Sequence, residues 1–288
     1  MQIATALPNI GTVITTNIGS YKIDNRIDNN QGGYSLVYGA TKLNTLTSVA
    51  IKFFKPNNRL IEDVQKQWMK ETGLFDRLRH KNIVSIYDAY TYGNLFFIVL
   101  ERAWGDLKKH VLSQLFIKKL PEYEIKLIAS QLISALSFIH KNGVIHKDLT
   151  IYNVLVFKRF LSQNIFKISD FGISKEPLSP IDVISTTQVI HPEFTPPEFL
   201  QYGFVDQQSD LYQLGLVLLY CITGNNIFEG KNQQEINNMI NDGIPRQTAE
   251  SIKTPLGEFI SKLLPRHKEY RFQNINDVYN YFYNHIYR

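Results

Sequence analysis

The sequence predicts an α+β fold in two lobes, a small strand-rich one followed by a larger helix-rich one. Three observations carry that expectation. Between Tyr21 and Leu100 the chain is mostly built of β-branched and aromatic runs, "SLVYGAT", "SVAIKFF" and "LFFIVLE" (95–101), with "KLNTLT" as the turn joining the first two. One helix interrupts them, near 61–79. After Leu100 the apolar period changes from strand to helix. Third, 288 residues suffice for two lobes of ordinary size.

In the helical part, Pro121 and Glu122 open a helix with Ile125, Ile128, Leu132, Leu136 and Ile139 at three- and four-residue steps. Asn142-Gly143 closes it. Ser209 is placed to cap a second, very apolar helix ending at Gly224, and further helical patterns follow near 232–241, 255–264 and 274–286. Residues 1–20 read as an N-terminal extension with one strand, 21–100 as the small lobe and 101–288 as the large one.

Composition narrows the function classes. With 44% hydrophobic and 20% charged residues the chain is globular rather than disordered. The net charge of +5 is small, and the basic residues are dispersed, so no nucleic-acid partner is expected. Their densest cluster, Arg266, His267, Lys268 and Arg271, is diluted by Glu269 and reads as a solvated surface. The single cysteine, Cys221, sits in the apolar run "LGLVLLYCIT", where burial as a small hydrophobe is the natural reading. No secretory signal is present, and the longest apolar run (214–223) is about half of a membrane span. A soluble, cytoplasmic protein is expected.

Four groups of residues carry chemistry. Gly32 and Gly33 in "NQGGYSLV" lie between two strands, where backbone amides could approach a phosphate; alone, paired glycines are a turn. Lys52 ends "VAIK" in a strand flanked by Ala50, Ile51 and Phe53; a lysine there needs a partner, and Glu71 on the next helix is the natural candidate, although a helical glutamate is by default solvated. In "VIHKDLTIYNVLVF", Asp148 and Asn153 interrupt two apolar runs, the pair that phosphoryl transfer uses to orient a hydroxyl and hold a metal ion. Asp170 in "KISDFGISK" follows an apolar strand, as a metal-binding carboxylate does.

Together and in this order, the segments NQGGYSLV, VAIK, HKDLTIYN, DFG and PPE (196–198) resemble the signature set of the eukaryotic-type protein kinase superfamily, over roughly residues 21–288. "SDLYQLG" (209–215) and Arg271, expected to pair with Glu198, extend the likeness. The resemblance implies a bilobal protein kinase fold: a small antiparallel β-sheet lobe with one main helix, a larger mostly helical lobe and an ATP cleft between them. It implies ATP and Mg2+ (or Mn2+) as cofactors, protein substrates, and transfer to Ser/Thr hydroxyls. Lys52 would contact the α- and β-phosphates and pair with Glu71. Asp148 would be the catalytic base, with Asn153 and Asp170 on the metal. Asn30, Gly32, Gly33, Tyr34 and Ser35 would cover the phosphates. Val37, Ala50 and Leu155 would sandwich the adenine, and Glu101 to Ala103 would form the hinge behind a gatekeeper, Leu100. His146 would brace the metal-binding segment and Asp210 the catalytic loop. Ser185, Thr186 and Thr187 are the candidate autophosphorylation sites, with Lys147 as a cationic partner.

Several positions depart from the pattern. Asn30 and Ser35 replace two loop glycines, and Lys147 replaces an arginine. Thr150 stands where Ser/Thr kinases carry a lysine, and His191 where the docking loop carries a threonine, as though donor and cation had exchanged sides. The "TIY" following Asp148-Leu149 and Phe194 match neither tyrosine-kinase feature, and Phe194 is nearer the tyrosine common in Ser/Thr kinases, so Ser/Thr acceptors are expected. The alternative is an ATP-binding pseudokinase scaffold with weak transfer. A small-molecule kinase is disfavoured by the intact Asp-Phe-Gly and Pro-Glu motifs.

Overall fold

The computed structural model describes residues 7–27, 35–55, 60–93, 95–114, 119–159, 162–171 and 191–287. The chain divides into two compact units, Met1–His80 with Val84–Ala103, and Lys81–Ile83 with Trp104–Arg288.

The first unit is one antiparallel sheet with a helix. Its strands are β1 (Val13–Thr16), β2 (Gly19–Arg26), β3 (Ser35–Lys42), β4 (Thr47–Phe54), β5 (Ile86–Tyr92) and β6 (Leu95–Glu101), in the order β1-β2-β3-β4-β6-β5. Helix α1 is Ile61–Arg77. Alternation along each strand sorts the side chains onto two faces. Val49, Ile51 and Phe53 of β4 pack with Ile23, Leu36, Tyr38 and Phe97 in the core of this unit. Phe53 meets Tyr38 edge-on at 5.5 Å between ring centroids. The strand residues between them therefore belong to the opposite face, which is covered differently: all six residues Val49–Phe54 are buried. Trp68 of α1 donates its indole N–H to Phe97 O at 3.1 Å, tying the helix to β6. The expected β3–β4 turn is present, with Leu46 at φ +54°.

The second unit is mostly helical, with a small sheet of β7 (Gly105–Asp106), β8 (Val154–Phe157) and β9 (Ile165–Ile168). Its helices are α2 (Leu107–Leu112), α3 (Glu122–Lys141), α4 (Pro197–Tyr202), α5 (Gln207–Thr223), α6 (Gln233–Asn241), α7 (Ile244–Ser251), α8 (Pro255–Leu263) and α9 (Ile275–His285). Helix α5 is its axis: every residue from Ser209 to Cys221 is buried, as expected of a helix apolar on all sides. A side chain at Gly215 would collide with Leu263 and Leu264 behind α8, so α5 and α8 approach closely there. Cys221 is buried, and burial pushes its thiol pKa far up, which keeps it inert.

One cap differs from the sequence reading. Asp206, not Ser209, is the N-cap of α5; its carboxylate accepts from the amides of Gln208 and Ser209, and Ser209 Oγ accepts from Asp206 N. Both residue types cap, but only Asp206 has extended backbone, whereas Ser209 already lies in the first turn. Lys268 also pairs with Asp206.

Candidate active site

In the first unit the strand register collects one face. Val37 lies opposite Lys52, and Ala50 opposite Leu100; directly opposed residues of antiparallel strands project to the same side. Val37, Ala50, Lys52 and Leu100 thus share the face away from the Val49–Ile51–Phe53 core. Lys52 and Glu71 are both nearly inaccessible and meet at 2.7 Å between Nζ and Oε1. Two ions so buried are sustained only as a pair. Glu101, at the end of β6, accepts from Ser85 N at 2.7 Å, and Ala103 is half-buried beyond it. Ser35 begins β3, opposite Phe54. Asn30, Gly32, Gly33 and Tyr34 lie outside the described residues, as do Gly172, Ser185, Thr186 and Thr187.

In the second unit the segment His146–Asn153 runs from α3 into β8. Asp210, fully buried on α5, anchors it by accepting from His146 N (2.9 Å) and Lys147 N (2.8 Å). His140 Nε2 lies 2.8 Å from the same carboxylate. Gln213, one turn further along α5, accepts from Leu149 N at 3.0 Å and donates to Lys147 O (2.9 Å) and Phe194 O (3.1 Å). This many fixed amides can impose an unfavourable conformation, and Lys147 sits at φ +72°.

His146 connects this loop to β9. Its Nδ1 accepts from Asp148 N at 3.3 Å, which assigns the ring proton to Nε2 and a donated bond to Ser169 O at 3.1 Å. Its ring also meets the buried Phe171 edge-on at 5.1 Å. Ser169 donates twice to Asn153 O, from N (2.8 Å) and Oγ (3.0 Å). Asp170 follows at φ +62°, in the left-handed region that a non-glycine residue adopts only under constraint. Leu155 lies in β8, opposite Asp106 and Lys167.

Asp148 and Asn153 are joined directly. Asn153 Nδ2 donates to Asp148 O and to Asp148 Oδ2, both at 2.8 Å, which leaves Asn153 Oδ1 as the acceptor end of the amide. Asp148 Oδ1 is buried and has no hydrogen-bond partner among the described residues. Burial raises the Asp148 pKa above the ordinary carboxylate range; His146, Asn153 and His191 oppose the shift, while the charge of Asp170 adds to it.

Thr150 is buried, and its hydroxyl accepts from the amides of Tyr152 and Asn153 at 3.2 Å each. It caps the turn and does not supply the missing cation. His191 lies against Tyr152, with ring centroids 5.0 Å apart, and against Phe194 at 5.7 Å. Glu198 and Arg271 form the expected pair, bidentate at 3.0 and 2.8 Å, with Ser209 Oγ also donating to Glu198. Burial alone would raise the Glu198 pKa, but Arg271 and Ser209 outweigh it and hold the carboxyl low.

Sequence reasoning did not single out Gln213 or His140, although each touches the loop's anchor. The signal available was a glutamine inside the apolar run "LYQLGLVLL", where a buried amide needs partners. Among the described residues no three His, Cys, Asp or Glu side chains converge as a ready-made metal cage. No helix among them is long and apolar enough to cross a membrane.

Residues 30–283 match the model of the protein kinase domain family. A probable serine/threonine-protein kinase of Clostridium acetobutylicum is 30% identical over 277 residues, covering 93% of this chain and 40% of that protein. Serine/threonine-protein kinase PrkC of Bacillus subtilis is 30% identical over 71% of this chain and 31% of its own length. The human serine/threonine-protein kinase ULK1 is 27% identical over 88% of this chain and 25% of its own. The chain therefore spans well under half the length of these relatives.

Proposed function

Because the chain belongs to the protein kinase domain family, we propose that it transfers the γ-phosphoryl group of ATP to Ser/Thr hydroxyls of protein substrates. The observation that carries this reading is Asp148. One carboxylate oxygen is held by Asn153, and the other is buried without a partner among the described residues. An orphaned buried acceptor is costly unless a ligand satisfies it. A substrate hydroxyl would do so, donating its hydrogen to Asp148 Oδ1, which orients the oxygen for attack and then takes the proton. The raised pKa suits a base that must hold that proton in turn.

The donor set also fits a divalent cation. Asp170 and Asp148 repel each other, and Asn153 offers an amide oxygen. A hard cation that takes one or two side-chain oxygens and fills its shell with phosphate and water oxygens matches a site with no protein cage among the described residues. Asn153 and Asp170 would hold Mg2+ or Mn2+, which neutralises charge on the transferring phosphoryl group. Lys52, aligned by Glu71, would hold the α- and β-phosphates, and Val37, Ala50, Leu100 and Leu155 would flank the adenine, with Glu101 and Ala103 offering backbone hydrogen bonds.

The test is phosphoamino-acid analysis after incubation with γ-labelled ATP and Mg2+ or Mn2+. Label on phosphoserine or phosphothreonine is the expected result. Label on phosphotyrosine alone would overturn the acceptor class, and ATP retention without transfer would favour the scaffold reading.

A further inference from the structure

Tyr152 lies four residues after Asp148 and immediately before Asn153, so it belongs to the loop that carries the base. Helix α2 is pinned to the same loop, since Leu107 N and Lys108 N both donate to Ile151 O (3.1 and 3.4 Å). That contact places Lys108 on Tyr152: its Nζ donates to the phenol oxygen at 3.3 Å and lies 5.2 Å from the ring centroid. Lys108 is half-buried, and no carboxylate pairs with it among the described residues. Asp106, the nearest acid in sequence, is spent as the N-cap of α2, accepting from Lys109 N at 2.7 Å.

The Tyr152 ring also meets His191, at 5.0 Å and 32° between planes. Glu193 is its neighbouring acid, 3.8 Å from Nδ1 and too far for a hydrogen bond. Among the described residues this half-buried ammonium is held by a phenol oxygen and a ring face and meets no counter-charge. A compact ammonium with N–H donors to spare takes a carboxylate or a phosphate as a point-charge partner.

We propose that Lys108, seated on the catalytic-loop residue Tyr152, is a specificity residue that binds an anionic side chain of the acceptor polypeptide within a few residues of the phosphorylated Ser or Thr. The inference rests on the kinase reading above and deepens it. The acidic group is either a carboxylate (Asp or Glu) or a phosphate already on the substrate.

The experiment uses the purified chain with ATP and Mg2+ and a set of single-serine peptides. Asp, phosphoserine, Ala or Lys is placed at each flanking position in turn, and kcat/KM is measured for each peptide. Acidic over basic preference of roughly 10- to 100-fold at one or two positions is expected, the scale of one charge-assisted hydrogen bond. Preference for Asp and phosphoserine alike identifies simple charge recognition, and preference for phosphoserine alone identifies a primed substrate; both support the proposal. In Lys108→Met the preference should collapse, and in Lys108→Glu it should invert towards Lys-containing peptides. A purely structural role would lower all peptides together and leave the ratio unmoved. The wild-type ratio stands as a test even should a variant fail to fold. Equal transfer to acidic, neutral and basic peptides overturns this inference and leaves the kinase reading intact. Absence of transfer to any peptide, without autophosphorylation, overturns both.

Discussion

The two oxygens of the Asp148 carboxylate are treated differently: Oδ2 is bonded to Asn153, while Oδ1 is buried without a partner among the described residues. The pKa direction follows from that burial first, with the Asp170 charge reinforcing it. The base must be ionised, so turnover should rise with pH along a limb lying above the ordinary carboxylate range. Metal bound by Asp170 would draw the limb back down, and His191→Gln, which removes an opposing charge, should move it up. A kcat/KM profile for the acceptor, for wild type and His191→Gln, checks both directions. The same shift has a stability counterpart. A folded pKa above the unfolded one means that the native state loses stability as pH rises through it. Asp148→Asn should therefore melt higher than wild type at neutral pH, with the gain shrinking on acidification. At this scale the sequence was informative wherever partners share a short segment, as Asp148 and Asn153 do. It was silent on Gln213 and His140, whose partners in the catalytic loop and on α5 lie more than 60 residues away and are set by packing alone.

Helices with a regular apolar period were legible: α1, α3 and α9 lie within a residue or two of their expected bounds. Helix α7 was not. Its sequence, IPRQTAES, buries only Pro245 and Ala249, so no stripe announces it, and it is held by its neighbours instead. Strand β5, IYDAYTY, is likewise half-buried along most of its length, without a clean alternation. The cap of α5 was displaced by one turn because Asp206 and Ser209 are both capping types and form one reciprocal box. Helices α4 and α5 are linked by Glu198, Ser209 and Arg271, a fully buried network. Removing one ion of such a pair strands the other, so Arg271→Met should cost about 3–5 kcal/mol. Arg271→Lys should fail to restore it, because an ammonium cannot bridge both oxygens. The sign in pH is opposite to that of Asp148. Glu198 titrates below its ordinary range, so its contribution is present above that range and is lost as pH falls through the depressed pKa. Urea unfolding of both variants across acidic and neutral pH measures the size and the sign together.

Across the whole molecule the chemistry is divided between two units. One carries the Lys52–Glu71 pair on a sheet face lined by Val37, Ala50 and Leu100. The other carries Asp148, Asn153 and Asp170 on a loop system anchored to the buried axis helix. The two-lobed α+β organisation could be read from the change in apolar period near Leu100, because strand and helix periods differ enough to show in a single sequence. The order of strands could not, since β4 pairs with β6 across an intervening helix and strand. The central claim is that binding of ATP and transfer from it are separable, with Asp148 serving only the second. Side-by-side measurement of ATP affinity and phosphoryl transfer in wild type, Asp148→Ala and Asp170→Ala tests this directly. Asp148→Ala is predicted to bind ATP with near wild-type affinity while losing turnover, and Asp170→Ala to lose its Mg2+-dependent transfer. Near wild-type transfer by Asp148→Ala would contradict the account.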